Sequence, residues 1–124
     1  MKTSKAQIRG KEYLMCFSTR VVIECHKRYG GIENAMKKIF PGPDNDQEIE
    51  AVFWLFYEML KAGSAYAKIN GIDNPDIMTY DELIDSVGID DYPQMLAKVI
   101  ESTEKGIRRS VETVPGKNTE TTRG

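Results

Sequence analysis

The sequence has no apolar run long enough to cross a bilayer. Its longest uninterrupted apolar stretch, residues 51–57, ends at Glu58, whereas a transmembrane helix needs about 20 apolar residues. Residues 1–10 are polar and contain no apolar segment, so we expect neither a secretory signal nor a transit peptide. These absences predict a cytoplasmic protein that has no membrane partner.

Cysteine and histidine are also scarce. The chain has two cysteines, Cys16 and Cys25, and one histidine, His26. We expect reduced, partly buried thiols, because free cysteine usually behaves as a small buried hydrophobe. Adjacent side chains on a helix point about 100° apart, so Cys25 and the neighbouring His26 are poorly placed to act as a nucleophile and its base. The sequence therefore predicts binding rather than catalysis, with no catalytic residue.

The motifs that hold metals, phosphates or nucleic acids are missing. The cysteines and histidine lack the short paired spacings of a zinc site, and residues 44–46 (Asp-Asn-Asp) do not continue into a calcium loop. No phosphate-binding glycine loop is present, and the formal net charge is -2. Three basic residues near the end of the last predicted helix are explained by its dipole. We therefore expect no metal, no cofactor and no nucleic-acid partner. These basic residues are Lys105, Arg108 and Arg109.

The sequence does show helical periodicity, and turn-forming residues interrupt it at clear positions. Apolar residues recur at helical spacing between caps and glycine or proline breaks, and a glycine between two short apolar arms in residues 6–17 predicts a hairpin. We predict a mainly α fold: a small helical domain of about five helices with an N-terminal β-hairpin. The domain should span residues 6–114, and 115–124 should form a flexible C-terminal tail. The predicted helices cover about residues 19–29, 32–40, 46–69, 79–88 and 90–112.

The third helix is unusually apolar. Its first half carries aromatic and aliphatic side chains around most of the cylinder, a pattern typical of a helix that is buried on all sides or covered by a partner. One side fits the core of the domain and holds Val52, Leu55, Phe56 and Met59. The other side is the predicted partner-binding surface and holds Phe53, Trp54, Tyr57 and Lys61, because tryptophan and tyrosine are favoured interface anchors.

Several local sequences carry a family resemblance that covers roughly residues 6–114. They are residues 10–13 (Gly-Lys-Glu-Tyr), 16–19 (Cys-Phe-Ser-Thr), 29–33 (Tyr-Gly-Gly-Ile-Glu), the central segment 53–63, and 79–83 (Thr-Tyr-Asp-Glu-Leu) followed by Tyr92-Pro93. In these local sequences and in their order along the chain, the protein resembles the tail assembly chaperones of phages and prophages of Gram-positive bacteria.

This resemblance implies a protein that binds the tape measure protein and keeps it soluble until the tail tube polymerises around it. It further implies self-association into a homo-oligomer, the tail tube protein as a second candidate partner, and action in the host bacterial cytoplasm rather than in the mature virion. Two other interpretations stay open. One is a small dimeric interaction or regulatory protein of a mobile element, and the other is a small enzyme with a site at Cys25 or His26.

Overall fold

The computed structural model describes the backbone of residues 2–112 and the side chains of residues 2–107. It confirms the predicted mainly α fold with an N-terminal hairpin. The predicted tail, residues 115–124, lies outside the described residues. The elements are β1 (Ser4–Ile8), β2 (Lys11–Met15), α1 (Thr19–Tyr29), α2 (Ile32–Ile39), α3 (Ile49–Asn70), α4 (Tyr80–Ser86), a 3-10 turn (Ile89–Asp91) and α5 (Tyr92–Glu112).

The hairpin turns through two residues, Arg9 and Gly10. Both have positive φ angles, 53° and 80°, as a type I′ turn requires to match the twist of its strands. The strands are antiparallel, and their register runs from the Ile8–Lys11 pair beside the turn to Ser4–Met15.

Local caps set the ends of α1 and the start of α4. The Ser18 side chain accepts a hydrogen bond from the Val21 backbone N–H at 3.4 Å, and α1 ends at Gly30, whose φ of 85° suits a residue without a Cβ. Thr79 and Glu82 form a reciprocal capping box at the start of α4, as the Thr-x-x-Glu spacing indicates. These local interactions set the limits of α1 and α4.

The start predicted for the third helix is wrong. We expected this helix to begin near residue 46, behind the possible caps Asp44, Asn45 and Asp46, whereas α3 begins at Ile49 and its N-cap, Glu48, makes no side-chain cap bond. The Asp46 and Glu48 carboxylates instead bind the Lys38 ammonium group at 2.8 and 3.0 Å. Their backbone N–H groups also donate to α2 carbonyls. The cation on α2 therefore holds this segment extended against the end of that helix.

The core is built around α3. Strand β2 and the other four helices all contact α3, and the predicted core side of α3 is confirmed, since Val52, Leu55, Phe56 and Met59 are buried. Strand β2 lies so close that the Cys16 N–H donates to the Met59 carbonyl at 3.3 Å. Among residues 2–112, no helix is long and apolar enough to span a membrane.

Candidate functional site

The four predicted partner-binding residues lie in different surroundings. Phe53 is only 8% exposed and its ring packs beside that of Tyr92, with centroids 6.1 Å apart. Trp54 and Tyr57 are half-buried, and Lys61 is exposed. The structure thus brings Trp54, Tyr57 and Lys61 to the solvent-facing side of α3, and it places Phe53 in the interior.

Trp54 is held by the last turn of α1. Its ring meets Tyr29 edge to face with centroids 5.6 Å apart, and the Arg28 guanidinium lies 5.1 Å from the centre of the Trp54 ring. The same guanidinium is 3.3 Å from a Glu50 carboxylate oxygen. Stacked cations and edge-to-face rings are favourable geometries, so Trp54 contributes to the packing of α1 on α3.

Tyr57 is held by the loop before α4 and by the first residue of α4. Its hydroxyl donates a 2.8 Å hydrogen bond to the Met78 carbonyl, and its ring meets Tyr80 at 5.6 Å between centroids. The Lys61 ammonium lies 5.5 Å from the centre of the Tyr57 ring. Tyr57 therefore joins α3 to the loop before α4 and exposes only part of its ring.

Beyond Lys61 the surface opens into a groove of about 820 Å³ between the start of α1 and the second half of α3. We call it the α1–α3 groove. Its lining residues are Ser18, Thr19, Arg20 and Glu24 at the start of α1, and Glu58, Lys61, Ala62, Ala65, Tyr66, Ile69 and Asn70 on α3.

The floor of the α1–α3 groove is an apolar stripe. Ala62, Ala65 and Ile69 follow one another at helical spacing, and they span about 10 Å, or two turns of helix. Ile69 is 82% exposed, and Ala65 is exposed as well. Because Ala65 is small, the backbone of another helix could approach α3 closely here.

The charged groups along the groove are paired with one another. Glu58 is almost buried and binds Lys61 at 2.9 Å, while Glu24 lies 3.5 Å from Lys27 and 3.9 Å from Arg20. Since each carboxylate already has a cation, neither needs a partner's charge. The apolar floor is therefore the part of the groove that a partner would cover.

Cys25 lies beneath the groove and His26 beside it. The Cys25 side chain is fully buried, and its pKa is raised to about 11 by burial and by the nearby carboxylates of Glu58 and Glu24. His26 is exposed, as predicted. At neutral pH Cys25 is therefore a protonated thiol, the form that is a poor nucleophile.

Thiol labelling tests this placement. We expect Cys16 and Cys25, both buried and free, to react with a thiol reagent at pH 8 only after the chain unfolds. The Cys25 pKa is raised on folding from an ordinary 9.0 to about 11. The protonated thiol therefore favours the folded state fully below about pH 9, and this contribution falls as the pH approaches 11. Rapid reaction of Cys25 in the native protein would contradict the burial.

The described residues show no arrangement for metal chemistry. Within residues 2–107, no group of three or more His, Cys, Asp or Glu side chains could hold an ion. Comparison with known proteins gives no match to any family model, curated protein or solved structure.

Sequence reasoning missed the second half of this surface. Ala65 and Ile69 continue the line of Lys61 at intervals of four residues, so the α3 side of the groove was visible as spacing. The α1 side of the groove was not visible from spacing, because the position of α1 along α3 depends on how Trp54 and Tyr29 pack.

Proposed function

We propose that this chain is a phage or prophage tail assembly chaperone that binds the tape measure protein in the α1–α3 groove. The observation that carries the proposal is an exposed groove whose apolar floor is about two helical turns long and whose charged rim is already paired. The family resemblance in residues 6–114 supplies the identity of the partner.

The physical task fits a groove of this kind. A long helical tape measure protein would expose apolar stripes before the tail tube encloses it, and such stripes aggregate if they are left bare. An amphipathic helix can lay its apolar face in a groove through residues spaced three or four apart. Covering Ile69 alone would contribute roughly 2 kcal/mol to the free energy of binding. Release of the tape measure protein needs no nucleotide if the tail tube protein competes for the same stripe. This places the action in the host bacterial cytoplasm, before the virion matures.

The test is co-purification with overlapping fragments of the tape measure protein encoded beside this gene. We expect at least one fragment to bind and to stay soluble in its presence. Ala65→Arg fills the groove and Ile69→Asp makes its floor polar, so each should weaken binding by about tenfold or more. Both side chains are exposed, so the fold should be retained, as circular dichroism would verify.

Matched control variants are available on other elements. Ala97→Arg makes the same change at an exposed alanine of α5, and Ile89→Asp does so at an isoleucine that is 76% exposed. Both controls should bind like the wild type. Failure of every tape measure fragment to bind would overturn the proposed function, and equal loss in variants and controls would exclude the groove as the binding surface.

A further inference from the structure

The hairpin has two outer edges, and its register identifies the backbone groups on each. The residues beside a two-residue turn, Ile8 and Lys11, exchange both of their hydrogen bonds. Such pairs alternate along the ladder, so the N–H and C=O groups of the residues between them point away from the partner strand. On β1 these outward-pointing residues are Lys5 and Gln7, and on β2 they are Glu12 and Leu14.

The outer edge of β2 is covered at Leu14 by the rest of the chain. The Leu14 N–H donates to the Asn74 side chain at 2.9 Å, and the Leu14 carbonyl lies against α3 at Gly63, where an added Cβ would collide with it. No further strand can pair with β2 at Leu14.

The outer edge of β1 is open. Lys5 and Gln7 are exposed, and within residues 2–107 no hydrogen bond reaches their outward N–H and C=O groups. The edge ends at Thr3, whose carbonyl accepts a hydrogen bond from Lys105. Beside the strand is a cavity of about 390 Å³, and the residues across it include Gln94 and Lys98 of α5. Unpaired edges of this kind are templates for another strand.

We propose that β1 pairs with β1 of a second copy of this chain, antiparallel and in one register. A two-fold axis at Ala6 places Lys5 opposite Gln7 of the second copy and allows four backbone hydrogen bonds. The two neighbouring positions of the axis bring like charges together. An axis at Lys5 places the two Lys5 side chains opposite each other, and an axis at Gln7 places Lys5 opposite Arg9 of the second copy. Like charges directly opposite in a sheet are destabilising, so charge selects the axis at Ala6 and a four-stranded sheet of order β2-β1-β1-β2.

Gln7→Lys separates this pairing from the stability of the single chain. Within one chain Gln7 lies opposite Glu12, so a lysine there favours the hairpin. In the dimer this new lysine lies opposite Lys5 of the second copy, and the two-fold axis creates the same repulsive contact a second time. Sedimentation equilibrium should show a concentration-dependent dimer of the 14.0 kDa chain. The dissociation constant should rise about tenfold in the variant, while its thermal unfolding midpoint at low concentration stays the same or rises.

Two further variants make the test specific. Gln7→Pro removes an edge N–H that no bond within the chain uses and should weaken the dimer by about tenfold or more. The double variant Lys5→Glu with Gln7→Lys restores opposite charges across the axis, so the dimer should return to at least wild-type affinity. A chain that stays monomeric throughout, a dimer unchanged by Gln7→Lys and Gln7→Pro, or failure of the double variant to recover would each overturn the proposal. The tape measure test uses the α1–α3 groove and is independent of this outcome.

Discussion

Replacing Gly63 with alanine is expected to lower the free energy of unfolding by about 3 kcal/mol, because it overpacks the contact between α3 and β2. An added Cβ would collide with the Leu14 carbonyl and lie 2.8 Å from the Met15 nitrogen. Both are backbone groups of a paired strand, so neither can rotate away. The gain of about 1 kcal/mol from the higher helix propensity of alanine offsets only part of this cost.

Urea denaturation followed by circular dichroism measures the effect. Ser64→Ala is the matched control, because the side chain of the next helical residue points about 100° away from that of Gly63. It should stay within about 0.5 kcal/mol of the wild type. A Gly63→Ala variant as stable as Ser64→Ala would mean that α3 and β2 are farther apart than the structure has them.

Phe53→Ala is expected to destabilise the chain by about 3 kcal/mol or more, because it leaves a cavity against Tyr92. The sequence assigns Phe53 to the partner-binding side of α3, whereas the structure leaves only 8% of it exposed. A core residue and a partner residue differ in what their loss changes: the first lowers stability, and the second lowers affinity in a chain that stays folded.

Trp54→Ala provides the comparison. Trp54 is half-buried and keeps contact with Arg28 and Tyr29, so its loss should cost about 1–2 kcal/mol, less than the loss of the smaller Phe53. Chemical denaturation of both variants gives the ranking. If Phe53→Ala unfolded like the wild type yet failed to bind tape measure fragments, the placement of Phe53 in the core would be refuted.

Much of the fold could be predicted from local chemistry. The Arg9-Gly10 turn, the glycine at the end of α1 and the Thr79–Glu82 capping box depend on neighbours within four residues, so the sequence reports them directly. The same holds for the buried side of α3, because helical spacing alone aligns Val52, Leu55 and Met59 on one face.

Distant residues decided two features that helical spacing does not report. The acidic residues before α3 would cap a helix if they were isolated, but Lys38 on α2 binds Asp46 and Glu48 and delays the start of α3 to Ile49. Phe53 falls on the same side as Trp54 within the helix, yet α5 brings Tyr92 over it. Neither effect is visible from spacing, because each depends on which helix packs alongside.

For the apolar segment 51–60 the sequence by itself determined that it would be the central helix and which of its faces is buried, since both follow from side-chain type and a fixed helical period. Only the tertiary structure decided where the surface stays open. The α1–α3 groove exists because the last turn of α1 packs on Trp54 while Ala65 and Ile69 stay uncovered. The β1 edge is free, whereas Asn74 and Gly63 occupy the β2 edge at Leu14. Both depend on contacts between residues far apart in the chain, which local pattern does not encode.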